Sequence, residues 1–254
     1  MAGGTLERMS DDSSPTFVRQ PIRGVNEHPD SPLPRDRWPA TLAPVRSVLD
    51  HGLELGPITV FVGENGSGKS TLVEGIAGAY GMGVEGGSTG SRHSTRATES
   101  PLWESLRLSR GIGGSKRGYF LRAETMHSFY TYLEQNPGRP EPRFHEMSHG
   151  ESFLELVLSR FKGRGLWMLD EPESALSFQG CLALVGALAD KIAEGGSQVI
   201  LSTHSPVLAA IPGATIYEVG EWGLRPSPWS DLGLVTNYKL FFDDPQRFLR
   251  HVVG

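Results

Sequence analysis

Short apolar runs that end in polar residues recur along the chain, and their spacing predicts an α/β fold. Five of these runs favour buried strands, at residues 58–62, 119–122, 166–169, 198–202 and 214–219. The segments between and after them predict helices at residues 72–77, 126–134, 147–161, 178–194 and 243–253. Because strands alternate with helices, we expect a mostly parallel sheet with right-handed crossovers.

The first 44 residues are too polar and too rich in proline for long helices. Residues 1–16 predict a disordered tail, and six prolines between positions 21 and 44 leave room for short edge strands, such as residues 16–19. Residues 45–55 fit either a brief helix or a strand. We therefore expect a single domain at residues 17–254, with an antiparallel β edge near its N-terminal end.

The composition of residues 83–118, which are rich in glycine, serine and arginine, predicts a flexible insertion with one short helix near residues 102–108. Two interpretations of this segment stay open. It is either a passive, solvated surface segment or an anion-binding flap for nucleic acid or another acidic partner.

Composition and charge limit the classes of protein. A formal net charge of −5 gives no general attraction to nucleic acid or to anionic membranes. No apolar run approaches the roughly 20 residues of a membrane-spanning helix, and residues 1–14 lack the apolar stretch of a secretory signal. A single cysteine, Cys181, suits a reducing cytoplasm.

The strongest chemical signal is a glycine-rich loop between the first predicted strand and a helix. Glycines let backbone N–H groups turn inward around phosphates, and a helix N-terminus adds partial positive charge. Lys69 can reach the outer phosphates of a nucleoside triphosphate, and the Ser70 hydroxyl can bind Mg²⁺. The alternative is a glycine turn that binds nothing. The GxxxxGKS pattern and the next residue are Gly63, Glu64, Asn65, Gly66, Ser67, Gly68, Lys69, Ser70 and Thr71.

Two acidic residues follow the predicted strand at residues 166–169. Asp170 is placed to hold Mg²⁺, directly or through water, and Glu171 can orient or deprotonate an attacking water. The alternative is that these carboxylates only cap a helix. A glutamate directly after the aspartate favours hydrolysis over phosphoryl transfer to a bound acceptor.

All of these candidates follow the carboxyl end of a predicted strand. The same is true of Glu124, after residues 119–122, and of His204, after residues 198–202. In parallel sheets ligands bind beyond the carboxyl ends of the strands. The sequence therefore predicts one site at one edge of the sheet.

Four motifs, in this order, resemble those of the ABC-type ATPases. They are residues 63–71, 148–151, 169–177 and 202–205, and the resemblance runs from about residue 17 to the end of the chain. More narrowly, the chain is similar to small bacterial ATPases labelled "AAA family" whose motifs are ABC-like, and to the ATPase heads of repair and chromosome-maintenance proteins. The resemblance implies a P-loop NTPase fold that uses ATP and Mg²⁺.

The resemblance also implies roles for individual residues. Ser148 and Gly150 match the signature serine and glycine, which contact the γ-phosphate of ATP held by the opposite protomer. Residues 174–177 match the loop that crosses the dimer interface. His204 matches the switch histidine, which stabilises charge at the γ-phosphate.

Some positions depart from the family pattern. His149 stands where a second glycine is usual, Glu151 where glutamine is common, and Ser177 where transporters have aspartate. The glutamine expected after residues 119–122 is missing. Glu124 is the nearest candidate for sensing Mg²⁺, with an ordinary salt bridge as its alternative role.

These observations predict a cytoplasmic, Mg²⁺-dependent ATPase whose two copies close head-to-tail over ATP. The homodimer would act on an unidentified partner, either nucleic acid or protein. Two other functions stay open: the nucleotide-binding subunit of an ABC transporter, and an ATP-gated, DNA-associated binding module with little turnover. A small-molecule kinase would leave residues 148–150 unexplained.

Overall fold

The computed structural model describes residues 20–83, 86–89, 101–124, 149–250 and 252–253. The strands in these residues are β1 (Ile22–Glu27), β2 (Leu53–Glu54), β3 (Ile58–Val62), β4 (Gly87–Ser88), β5 (Leu106–Arg110), β6 (Gly118–Arg122), β7 (Leu166–Asp170), β8 (Gln198–Thr203), β9 (Thr215–Gly220) and β10 (Gly223–Pro226). The α-helices are α1 (Ala43–His51), α2 (Lys69–Tyr80), α3 (His149–Arg160), α4 (Phe178–Ala193), α5 (Gly233–Asp243) and α6 (Pro245–Leu249).

A mostly parallel central sheet confirms the predicted fold class. It has seven strands in the spatial order β10-β9-β3-β8-β7-β6-β4. The five middle strands are parallel, and the edge strands β10 and β4 pair in the antiparallel direction. Every residue of β3, β7 and β8 is buried, as expected for strands that are covered on both faces.

Two hydrophobic cores lie on opposite faces of this sheet, because successive side chains of a strand alternate. Trp167 and Leu169 of β7 pack in one core with residues of α3 and α4. Leu166 and Met168 pack in the other core, with residues of α1, α2 and the strands β1, β2 and β5. The central strands are therefore held by packing on both faces, and the residues at their carboxyl ends have fixed positions.

The expected antiparallel edge is a separate sheet of three strands in the order β2-β1-β5. The fully buried Gln198, at the start of β8, ties this sheet to the central one. Its Oε1 accepts a hydrogen bond from Ile22 N (3.0 Å), and its Nε2 donates to Ile22 O (2.8 Å) and Gly56 O (2.9 Å).

The flexible insertion predicted at residues 83–118 contains two strands and a 3₁₀ turn within residues 86–89 and 101–118. Residues 86–89 include β4, which pairs with β6, and the helix expected at residues 102–108 is instead a 3₁₀ turn (Pro101–Ser105) followed by β5. Leu102 in this turn is fully buried against α2, where a Cβ on Gly75 would stand 2.7 Å from Leu102 Cδ2. Apolar anchors thus fix a stretch whose composition is typical of loops.

Other differences are local. Residues 45–55, which fitted a helix or a strand, supply parts of α1 and β2, and the predicted C-terminal helix is the short α6, preceded by the unpredicted β10 and α5. The predicted tail at residues 1–16, the edge strand at residues 16–19 and the helix at residues 126–134 lie outside the described residues.

Candidate active site

The glycine loop joins β3 to α2, as the sequence predicts. Gly66 and Gly68 have φ angles of 78° and 94°, a region that residues with a Cβ rarely adopt. A Cβ on Gly63 would stand 2.6 Å from the backbone oxygen of Val219 on the neighbouring strand β9. These glycines let the chain turn tightly into the N-terminus of α2, where backbone N–H groups are available to phosphate.

Lys69 is the first residue of α2, and its side chain is only 2% exposed. Its Nζ donates hydrogen bonds to the backbone oxygens of Gly63 and Glu64, both at 2.8 Å. The same Nζ lies 3.4 Å from Glu171 Oε1. The ammonium group is therefore held over the glycine loop and beside the second acidic residue of the site.

Asp170 ends β7 and is almost completely buried. Its Oδ1 accepts hydrogen bonds from Ser70 Oγ (3.1 Å) and from Ser202 Oγ, and its Oδ2 lies 3.4 Å from Arg122 Nε. Burial raises the pKa of this carboxyl above its usual range, although the bonds from Ser202 and Ser70 and the charge of Arg122 oppose the rise. The pairing of a carboxylate and a serine hydroxyl is the oxygen donor set that Mg²⁺ prefers.

Glu171 has a strained backbone: at φ 48° and ψ 50° it is the one non-glycine residue with positive φ among the described residues. Its N–H donates to Ser202 O at 3.0 Å, which anchors the residue to β8. Its carboxylate then lies between Lys69 and His204, with 4.0 Å between Oε1 and His204 Nδ1. Strain of about 1–3 kcal/mol at such a residue is characteristic of functional sites.

His204 follows β8 and is held by Glu173, whose role the sequence did not indicate. Glu173 Oε1 accepts hydrogen bonds from Thr203 Oγ1 (2.7 Å) and from the backbone N of His204 (2.6 Å). His204 Nδ1 lies 3.1 Å from the same oxygen but lacks hydrogen-bond geometry. The Glu173 side chain is 8% exposed, whereas that of His204 is 40% exposed, so a buried carboxylate positions an accessible imidazole.

The remaining predicted site residues lie farther from this cluster or outside it. Glu124 is 75% exposed and lies 3.4 Å from Arg122, in agreement with its alternative role as a salt-bridging residue. Gly150 is the second residue of α3, and a Cβ there would stand 3.4 Å from Ala175 O, next to the segment that matches the interface loop. Ser148 lies outside the described residues.

Sequence reasoning missed three side chains that support the site: Arg122, Glu173 and Ser202. Arg122 and Ser202 are the residues paired with Asp170 in the neighbouring strands β6 and β8. A prediction of strand register could have found both. Glu173 carries no comparable signal, because its contact with His204 depends on the 3₁₀ turn at Pro172–Ala175.

Several known proteins are similar to this chain. A family model described as "AAA domain" matches residues 43–120. The cytochrome c biogenesis ATP-binding export protein CcmA of Saccharophagus degradans is 25% identical over 215 residues, which cover 76% of this chain and 94% of that protein. The Arabidopsis thaliana protein named ABC transporter I family member 1 is 28% identical over 181 residues, 64% of this chain and 77% of that protein.

Two solved structures are also similar. An SMC head domain from Thermotoga maritima has a TM-score of 0.44 and 15% identity over 70% of this chain and 93% of that one. A metal-chelate type ABC transporter in an inward-facing conformation has a TM-score of 0.49 and 14% identity over 89% of this chain and 90% of that one.

Of the helices that the structure describes, none has the length and apolar character needed to cross a membrane.

Proposed function

We propose that this chain, which is an ABC-type P-loop ATPase, hydrolyses Mg²⁺-bound ATP between two copies of itself. The observation that most strongly supports this proposal is the position of the Glu171 carboxylate, between the buried ammonium of Lys69 and the imidazole of His204. Such a carboxylate is suited to orient a water and accept its proton while a cation and a hydrogen-bond donor stabilise the phosphate.

Each residue of the site has a distinct task in this proposal. The glycine loop and Lys69 would bind the phosphates, and Ser70 and Asp170 would hold Mg²⁺, which would neutralise phosphate charge. Arg122 and Ser202 fix the Asp170 carboxylate, and Glu173 fixes the backbone of His204. The imidazole of His204 is accessible enough to donate a hydrogen bond to the terminal phosphate.

Closure of a head-to-tail dimer would complete the site. The family resemblance assigns Ser148 and Gly150 to the ATP of the opposite protomer, where the start of α3 would present backbone N–H groups to the γ-phosphate. The short distance from Gly150 to Ala175 supports this, because it places α3 beside the segment matched to the interface loop. Binding of ATP would favour the closed dimer, and loss of the γ-phosphate would release it.

Glu171→Gln tests this proposal by size-exclusion chromatography with Mg²⁺ and ATP. The amide keeps the size of the side chain but cannot accept the proton, so we expect ATP to be retained and a dimer to elute. The matched variant Glu104→Gln, at an exposed residue of the 3₁₀ turn before β5, is expected to elute as the unsubstituted protein does. Strictly monomeric elution of Glu171→Gln with ATP bound would contradict the dimer.

A second candidate is the nucleotide-binding subunit of a membrane transporter. The names of the two relatives above, an ATP-binding export protein and an ABC transporter family member, favour it. The missing glutamine after β6 and the altered residues His149 and Glu151 oppose it. Co-purification of the tagged chain with a polytopic membrane protein would favour the transporter subunit.

The single buried thiol of Cys181 supports a reducing, cytoplasmic location in either case.

A further inference from the structure

The edge of the central sheet opposite the ATPase site contains a basic cleft. It lies where the chain enters β6, β7 and β8, and it has a volume of about 330 Å³. Because these strands are five or six residues long, the cleft is roughly 15 Å from the carboxyl edge. The residues that line it are Gly113, Ser115, Arg117, Arg164 and Gly196.

Four exposed cations lie in or beside this cleft. Arg117 and Arg164 line it, and Lys116 and Lys162 are their neighbours in sequence. Within the part of the chain that the structure describes, none of these four side chains forms a hydrogen bond or an ion pair. The two segments that carry them, residues 105–123 and 156–169, contain no acidic residue, although the whole chain has 29 acidic residues against 24 lysines and arginines. The positive charge is thus concentrated locally in an acidic protein.

The fold holds the two arginines next to each other. Ser115 Oγ accepts a hydrogen bond from Arg117 N (3.1 Å) and donates one to Arg164 O (2.9 Å). In addition, Leu166 N donates to Arg117 O at 3.0 Å. Like charges that lie close together repel each other unless an opposite charge neutralises them. The unneutralised cluster therefore points to an anion from outside the chain.

We propose that this cleft binds the phosphate backbone of double-stranded nucleic acid. The guanidinium group matches phosphate with two parallel hydrogen bonds. A single phosphate would be held weakly because charges this exposed interact through water, whereas a polyanion contacts several cations at once and releases its counterions. The residues that line the cleft offer no aromatic ring on which an unpaired base could stack. Recognition is therefore independent of sequence and favours a duplex.

The proposal does not depend on the dimer described above, and it can be tested without ATP. The probe is a fluorescein-labelled duplex of about 20 base pairs, and fluorescence polarisation is followed between about 50 and 200 mM salt. The test variant is the double substitution Arg117→Gln and Arg164→Gln. The matched control, Arg37→Gln with Arg247→Gln, removes the same charge from exposed residues outside the cleft.

We expect the test variant to bind the duplex about tenfold or more weakly at low salt and to lose nearly two units of the slope of log K against log salt concentration. The control is expected to bind as the unsubstituted protein does, and phosphate release from ATP without nucleic acid is expected to be the same in all three proteins. Equal losses in both variants, or no duplex binding by the unsubstituted protein, would overturn the proposal. So would preferential binding of labelled polyglutamate, which would indicate an acidic protein partner.

Discussion

The carboxyl and amino edges of the central sheet are formed by the same strands but hold their charged groups in opposite ways. At the carboxyl edge Lys69, Asp170 and Glu171 are buried or half-buried and contact one another or nearby polar groups. At the amino edge Arg117 and Arg164 are exposed and have no ion-pair partner among the described residues. The groups at the carboxyl edge are held in place by these contacts, whereas the arginines at the amino edge are open to solvent.

The two edges of one sheet are suited to two different kinds of recognition. A buried, paired charge orients a reacting group within a fraction of an ångström, because its neighbours have fixed positions. An exposed, unpaired charge orients little but attracts an extended polyanion over several ångströms, and salt screens that attraction. Substitutions at the carboxyl edge should therefore change nucleotide binding and turnover, whereas those in the amino-edge cleft should not.

The largest expected effect is that of Lys69→Ala on nucleotide affinity. Removing the ammonium deletes charge-assisted contacts with the phosphates, and we expect ATP affinity to fall about 100-fold or more. Isothermal titration with ATP and Mg²⁺ measures this change. Lys162→Ala removes the same kind of side chain from the amino edge and is expected to leave ATP affinity unchanged. Equal affinities for the two variants would remove the P-loop assignment.

Gln198→Leu tests the contribution of the amino edge to the stability of the fold. The leucine has a similar volume but leaves Ile22 N, Ile22 O and Gly56 O without the bonds that the amide makes. We expect a loss of about 2–4 kcal/mol in the free energy of unfolding and a melting temperature lower by roughly 5–15 °C. Gln246→Leu, on the exposed helix α6, is the control for thermal denaturation. An unchanged melting temperature would contradict the role of Gln198 as the tie between the two sheets.

A smaller effect is expected for Glu173→Gln at the carboxyl edge. The amide oxygen can still accept from Thr203 Oγ1 and His204 N, so the fold is kept, but the negative charge 3.1 Å from His204 Nδ1 is lost. We expect kcat for ATP hydrolysis to fall about 10- to 100-fold with little change in KM or melting temperature. Glu194→Gln, at an exposed carboxylate paired with Lys191, is the matched control. A drop in melting temperature that accounts for the lost activity would mean that Glu173 is only structural.

The sequence predicts best those parts of the site that need unusual backbone φ angles or that end a buried strand. The glycine loop leaves a pattern in the sequence because only glycine suits the φ angles of Gly66 and Gly68. Asp170 and Glu171 are equally visible, since they end an apolar run that must be a buried strand. The parallel sheet and its two cores follow from the same apolar runs.

Contacts between distant segments were harder to predict. Asp170 meets Arg122 and Ser202 through the register of three neighbouring strands, and that register is set by tertiary packing. The composition of residues 83–118 does not predict β5, because glycine, serine and arginine dominate this segment, whereas Leu102 and Leu106 are buried in the core. The segment that contains Ser148 lies outside the described residues, so its role in the dimer stays a prediction.

The most direct test is a paired measurement of phosphate release and ATP binding by Glu171→Gln at saturating Mg²⁺ and ATP. If the carboxylate between Lys69 and His204 accepts the proton of the attacking water, release should fall by about 100-fold or more while ATP affinity is kept. Release at the unsubstituted rate would contradict the assignment of this edge as the hydrolytic site, because its chemistry would then not depend on Glu171.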